Sequence, residues 1–281
     1  MIRIPTKHRF QPEGRVTLRR LVVTGASAGL GRALAELARR RDWQVLATVR
    51  NEHDRPELQQ LGCSTALLDL TDARSISAFA ATTIAWCAGR LDALVHNAGT
   101  AFPGPVEELP EDDLRAQFEI GVFGPVALTQ RLLPVLREAK GRLLFVSSDR
   151  AQLSVRFYGA YVASKRALEA FAETLALEEP QVRVCIFEPG SFESAIRGPI
   201  GERLDGVSHG SRHEAALRAS RQQLGGPPIE PVDTVARAAM DLLEAPDPPL
   251  LSIFPDGSRR RVLRERIASL AQDLGPLPQD R

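Results

Sequence analysis

The feature that most constrains this chain is a rhythm in which short apolar runs alternate with longer amphipathic ones. Residues 20–24 (RLVVT), 44–49 (QVLATV), 63–68, 91–96 (LDALVH), 142–147 (RLLFVS), 182–187 (VRVCIF) and 250–254 read as strands. Between them, residues 30–41 carry Leu34, Leu37 and Ala38 at helical spacing. Thr71-Asp72 caps a further helix, and residues 110–137, 158–177 and 231–243 also read as helical. Strands that are apolar on both faces belong to a parallel sheet covered by helices on each side.

The expected fold class is therefore α/β: a single doubly wound Rossmann-type domain, its seven-stranded parallel sheet flanked by helices on both faces. That domain is expected over residues 20–258, with a flexible extension at 1–19 and a basic tail or helix at 259–281. Residues 191–231 show no strand signal and are long for a connection. They follow the sixth strand on the side where ligands bind in open α/β sheets, so they are expected to cover substrate, with Phe192, Ile196 and Ile200 as an apolar wall.

Lys and Arg total 36 against 35 acids, a formal charge of +1, which gives nucleic acid or an anionic membrane no electrostatic reason to be the main partner. No apolar run approaches the ~20 residues of a membrane span, and residues 1–15 lack the apolar stretch of a signal peptide. The odd, scattered Cys63, Cys87 and Cys185 fit reduced thiols and a cytoplasmic location. The five His show no metal-ligand spacing, so no metal site is expected, and His96 reads as structural. Arg259, Arg260, Arg261, Arg264 and Arg266 read first as a solvated helix face, with a subunit contact or polyanion site as the alternative.

Residues 24–31 read TGASAGLG at a strand-to-helix junction. Backbone N–H groups and the positive helix end can meet a pyrophosphate there, and glycines remove the Cβ atoms that would block it. Gly25, Ser27, Gly29, Leu30 and Gly31 are the candidate dinucleotide contacts. The residue after the second strand sets the choice of dinucleotide, and Arg50 stands there. A guanidinium pairs with a 2′-phosphate through two parallel hydrogen bonds, so NADP(H) is the first expectation. Glu52 and Asp54 close behind keep NAD(H) as the second.

Tyr161 and Lys165 lie four residues apart in YVASK, one turn apart on one helix face, and Ser148 ends the fifth strand thirteen residues before the tyrosine. Carbonyl reduction needs a proton donor as hydride arrives; a phenol serves if a neighbouring ammonium lowers its pKa, and a serine can hydrogen-bond the reacting oxygen. With Asp69-Leu70, Asn97-Ala98-Gly99 and Pro189-Gly190 in the same order, the chain resembles the short-chain dehydrogenase/reductase family over residues 20–255. The phrases FEIGVFGPVALTQRLLP and FEPGSF are similar to its 17β-hydroxysteroid and retinol dehydrogenase branch and to uncharacterised bacterial reductases.

The resemblance implies interconversion of a ketone or aldehyde and an alcohol, with Tyr161 as general acid/base, Ser148 orienting the substrate oxygen and Lys165 on the nicotinamide ribose. It further implies Asp69 facing the adenine, Asn97 holding the end of the fourth strand, Ser194 at the carboxamide position, a bulky apolar substrate, and a homodimer or homotetramer. One position departs from the pattern: the family commonly has Asn where this chain has Gly121. A slowed or rerouted proton relay is the expectation, so Gly121→Asn should raise turnover. A dinucleotide-binding sensor with little turnover is the alternative that Gly121 favours, and an intact Ser148, Tyr161 and Lys165 speaks against it.

Overall fold

The computed structural model describes residues 18–224 and 230–255; the arginine cluster at 259–266, most of the N-terminal extension and the C-terminal tail lie outside the described residues. Seven parallel strands form one sheet in the order β3-β2-β1-β4-β5-β6-β7. They are β1 (Arg20–Val23), β2 (Gln44–Val49), β3 (Ser64–Leu67), β4 (Ala93–His96), β5 (Arg142–Val146), β6 (Arg183–Pro189) and β7 (Leu251–Phe254). The expected strands are all present, with ends moved by a residue or two.

Pleating explains why the sheet needs cover on both sides. In β1, Leu21 and Val23 join a core with Leu34 and Ala38 of α1 (Gly29–Arg40) and Ala236 and Met240 of α9 (Val232–Glu244). Val22 faces the other way, among Phe79 of α3 (Ala73–Trp86), Leu128 and Leu132 of α5 (Gly124–Ala139) and Leu168 of α6 (Gly159–Glu178). Truncating a fully buried residue such as Leu34 or Leu132 to Ala would cost ~2–5 kcal/mol. Asp72 starts α3 as expected, its carboxylate accepting from the Arg74 and Ser75 N–H groups at 2.9 and 3.3 Å. A short α2 (Arg55–Gln60), not anticipated from the sequence, bridges β2 and β3.

Two stretches differ from expectation. The helical run at 110–137 is α4 (Glu111–Phe118) and α5, joined by one wide turn over Glu119–Phe123 in which the Gly124 N–H reaches the Glu119 carbonyl five residues back. Pro125, at the start of α5, has no N–H to return to the Gly121 carbonyl, so one helical hydrogen bond is missing at this turn. Residues 191–231, expected as a covering segment without strands and with no helix assigned to it, contain two helices, α7 (Arg197–Ser208) and α8 (Glu214–Leu224). Gly198, Pro199, Gly201 and Gly206 hide the helical period in α7, and tertiary packing of Ile200, Leu204 and Leu217 on Phe157 and Val162 forms it regardless. Among the described residues no helix is long and apolar enough to cross a membrane.

Candidate active site

The strand order reverses at β1, whose neighbours β2 and β4 lead in opposite directions along the sheet. A crevice opens at that point beyond the carboxyl ends of the strands. It is a cleft of about 1870 Å³, well above the ~300–1,000 Å³ of a single small-ligand pocket, so it has room for a dinucleotide and a second molecule together.

The loop after β1 is built to leave its backbone bare. Gly25 takes a positive φ of 66°, and a Cβ there would stand 2.7 Å from the Ala98 Cα. Its amide is fixed by the Thr48 hydroxyl at 3.0 Å. Asn97 clamps the loop from β4: its side-chain amide donates to the Thr24 and Gly25 carbonyls, both at 2.9 Å. The Thr24 hydroxyl accepts from the Asn97 and Ala98 amides, both at 3.0 Å. Ala28, before α1, provides no side-chain cap, and no acidic residue occupies the first turn. The first N–H groups of α1 are therefore left for an anion, and Gly25, Ser27, Gly29 and Leu30 line the cleft beside them. Gly31 is different. It does not line the cleft; a Cβ there would meet the Gly25 carbonyl oxygen at 2.3 Å and Asn97 Nδ2 at 2.4 Å, so it is a packing glycine beneath the loop.

At the far end of the cleft, Arg50 is exposed on the wall with Asp54, Asp69 and Leu70. Of the neighbouring acids, Glu52 is outside the cleft lining and pairs with Arg55 at 3.1 Å, while Asp54 on the wall lies 3.4 Å from His53. Asp69 Oδ1 accepts from the amide and hydroxyl of Thr71 at 2.9 and 2.7 Å, which fixes the carboxylate on the cleft wall. Ala98, Gly99, Pro189, Gly190 and Ser194 also line the cleft.

Ser148, Tyr161 and Lys165 converge midway along it. Ser148 follows β5 and caps a short turn, its hydroxyl accepting from the Arg150 amide at 3.3 Å. The Tyr161 phenol is hydrogen-bonded to Ser148, and Lys165 lies one turn further along α6. The Lys165 ammonium is buried and donates to the Val146 carbonyl at 2.7 Å; burial lowers its pKa to about 8, against the opposing charge of Glu169. The Tyr161 phenol lies above its ordinary pKa, not below it as expected. Burial raises the phenol, Ser148 and Arg150 pull it back in part, and the lysine Nζ stands 5.9 Å from the Tyr161 ring centroid, held at Val146.

Gly121 sits in the wide turn behind these residues. A Cβ there would lie 3.1 Å from the Ser164 hydroxyl, which is itself bonded to Gln117 at 3.1 Å. His96 is structural, as expected: it is buried, stacked on Phe145 at 5.0 Å and 2.8 Å from the Thr129 hydroxyl, and burial lowers its pKa to about 3. The three cysteines are free and buried.

Two groups were not anticipated. Below Lys165, the buried carboxyls of Glu169 and Glu188 are hydrogen-bonded to each other, and Gln152 donates to both at 2.9 and 2.8 Å. Ser147 also donates to Glu169. Burial, then the charge of Glu169, pushes Glu188 up to about 8. Glu169 was legible only as the residue one turn beyond Lys165, and Glu188 as the lone acid in an apolar strand. The second group is Arg150, whose guanidinium lies 5.1 Å from the Tyr158 ring centroid and hydrogen-bonds its hydroxyl.

Residues 19–205 match the family described as short chain dehydrogenase. The uncharacterized oxidoreductase YusZ of Bacillus subtilis (strain 168) is 36% identical over 186 residues, 62% of this chain and 65% of that protein. Retinol dehydrogenase 5 of Mus musculus is 34% identical over 187 residues, 63% of this chain and 57% of its own length. The chain thus spans less than two thirds of these relatives. A short-chain dehydrogenase from Streptomyces avermitilis superposes with a TM-score of 0.79 at 33% identity, covering 92% of this chain and 95% of that one. Two Burkholderia structures share the fold. One, from B. phymatum in complex with NAD, has a TM-score of 0.78 at 19% identity and covers 94% of this chain and 98% of its own. The other, from B. cenocepacia in complex with NADP, has 0.72 at 22% and covers 92% and 98%.

Proposed function

The chain belongs to the short-chain dehydrogenase family, and we propose that it is an oxidoreductase interconverting a ketone or aldehyde and an alcohol with NADP(H). The observation that carries this reading is the convergence of Ser148, Tyr161 and Lys165 on one cleft with a bare glycine loop at a helix N-terminus. The loop and the Asn97 clamp would hold the pyrophosphate, Arg50 the 2′-phosphate, Asp69 the adenine side, and Pro189, Gly190 and Ser194 the nicotinamide side. When bound, the dinucleotide supplies the hydride, two electrons and one hydrogen, to the carbonyl carbon.

The remaining proton is the protein's task. Ser148 donates a hydrogen bond to the substrate oxygen and holds it against Tyr161, whose hydroxyl gives up its proton as the oxygen becomes an alkoxide. The Lys165 ammonium favours the resulting phenolate electrostatically and positions the ribose. In the oxidative direction the phenolate takes the alcohol proton back. Partly exposed Phe171 on α6 and Phe123 before α5 lie on the helices that the family resemblance pairs across a homo-oligomer, and support that reading.

The cofactor assignment is tested by NADPH and NADH consumption over a panel of ketones and aldehydes. NADPH should be preferred, and Arg50→Asp should lower kcat/KM for NADPH by ~10-fold or more while sparing NADH, the loss of a charge-assisted bidentate contact. Equal use of both by the wild type, or an unchanged ratio in Arg50→Asp, would remove Arg50 from its role.

A further inference from the structure

The substrate end of the cleft is strongly and asymmetrically charged. Arg150, Arg156, Arg166, Arg197 and Arg203 line it, with Asp149 the one carboxylate lining it among the described residues. Their commitments differ. Arg203 pairs with Asp113 at 3.6 Å and covers Phe102, Arg166 reaches the Ala151 carbonyl, and Arg197 donates to the Leu224 carbonyl at 3.1 Å, tying α7 to the end of α8.

Arg150 is the one aimed at the chemistry. It is two residues beyond Ser148, its guanidinium lies over the buried Tyr158, and the Tyr158 and Tyr161 rings meet edge to face with centroids 6.4 Å apart. Its charge, with that of Arg197, acts on the Tyr158 hydroxyl, and it also acts on Tyr161. A rigid five-donor fork has one obvious use beside a carbonyl site: to receive an anionic oxygen pair.

We propose that the substrate is a carbonyl or hydroxy compound bearing a carboxylate, which Arg150 binds beside Tyr161, so that the reaction interconverts an oxo acid and a hydroxy acid. This rests on the oxidoreductase reading above and narrows it from a bulky apolar substrate to an acidic one. The carboxylate remains chemically intact; hydride and proton add across the carbonyl as already described. Ile196 and Ile200 of the covering segment supply an apolar side for the carbon chain of the acid.

The test pairs oxo acids with their methyl esters, in the wild type, Arg150→Ala and Arg150→Lys. A charged hydrogen bond corresponds to ~10- to 100-fold in binding. The wild type should prefer the acid by that factor in kcat/KM, mostly through KM. Arg150→Ala should bring the acid-to-ester ratio close to one, and Arg150→Lys should recover part of it. A binding arm stands apart from turnover: in the presence of NADPH, a hydroxy acid should raise the melting temperature of the wild type and not of Arg150→Ala. Esters used as well as acids, or an acid preference that survives in Arg150→Ala, would overturn the inference. Turnover of neither, with acid-dependent stabilisation still lost in Arg150→Ala, would instead overturn the oxidoreductase reading and leave Arg150 as an anion site.

Discussion

Replacing Glu188 with Gln should make the pH dependence of stability flatter. Glu188 is fully buried at the end of β6, hydrogen-bonded to Glu169 and to Gln152, and its pKa is pushed up to about 8. In the unfolded chain a glutamate titrates near ~4.3. Below that pH both states are protonated and burial carries no ionisation penalty. Between about 4.5 and 8 the unfolded chain ionises while the folded one holds its proton, so the folded state binds more protons and stability falls as pH rises, by up to ~1.4 kcal/mol per unit. Above 8 the loss is complete and constant. At pH 7 it amounts to ~3 kcal/mol. Glutamine keeps the size of a protonated Glu188, and its amide N–H can take over the hydrogen bond to Glu169, but it has no proton to lose.

The assay is urea unfolding of the wild type and Glu188→Gln at pH 5, 6, 7 and 8. The stability advantage of the variant should be under ~1 kcal/mol at pH 5 and grow to ~3 kcal/mol by pH 7, whatever constant offset the substitution adds. Two curves that run parallel across this range would show that Glu188 is already ionised in the folded protein, and that burial does not hold its proton.

Three further outcomes are expected. Gly121→Asn should raise turnover per folded molecule and lower the melting temperature by a few degrees, because its Cβ crowds Ser164 at 3.1 Å; unchanged or lower turnover would count against a relay role for that position. Gly31→Ala should destabilise by ~1–3 kcal/mol or weaken dinucleotide binding through displacement of the glycine loop, whose Gly25 oxygen stands 2.3 Å from the new Cβ; calorimetry with and without NADPH reads both, and a neutral variant would contradict the packing role. Lys165, lowered to about 8 by burial, holds its positive charge below that pH and loses it above. The reductive rate should accordingly decline through pH 8, and a flat profile to pH 10 would dissociate the lysine charge from catalysis.

The strands were readable because each has to be apolar on two faces, and the pairing of Tyr161 with Lys165 because one helix turn separates them. The glycine loop was readable as a unit, but not the division of labour within it. Gly25 and Gly29 border the ligand space while Gly31 packs against the loop from below, and spacing alone does not distinguish the two. The wide turn at Glu119–Phe123 gives no period of its own in the sequence, and α7 forms through tertiary contacts that outweigh its glycines. Glu169 and Glu188 are far apart in sequence and acquire meaning only when α6 lies against β6 and removes both from water. Arg150 looked like one arginine among many until the fold placed it over Tyr158.

The most direct test of the central claim is NADPH oxidation, followed at the nicotinamide absorbance over a carbonyl panel, for the wild type and Tyr161→Phe. The phenylalanine variant should still bind NADPH, with its glycine loop and Asn97 clamp untouched, and should lose at least ~100-fold in turnover, the scale of a general acid. Turnover preserved in Tyr161→Phe would contradict the assignment of proton transfer to this residue.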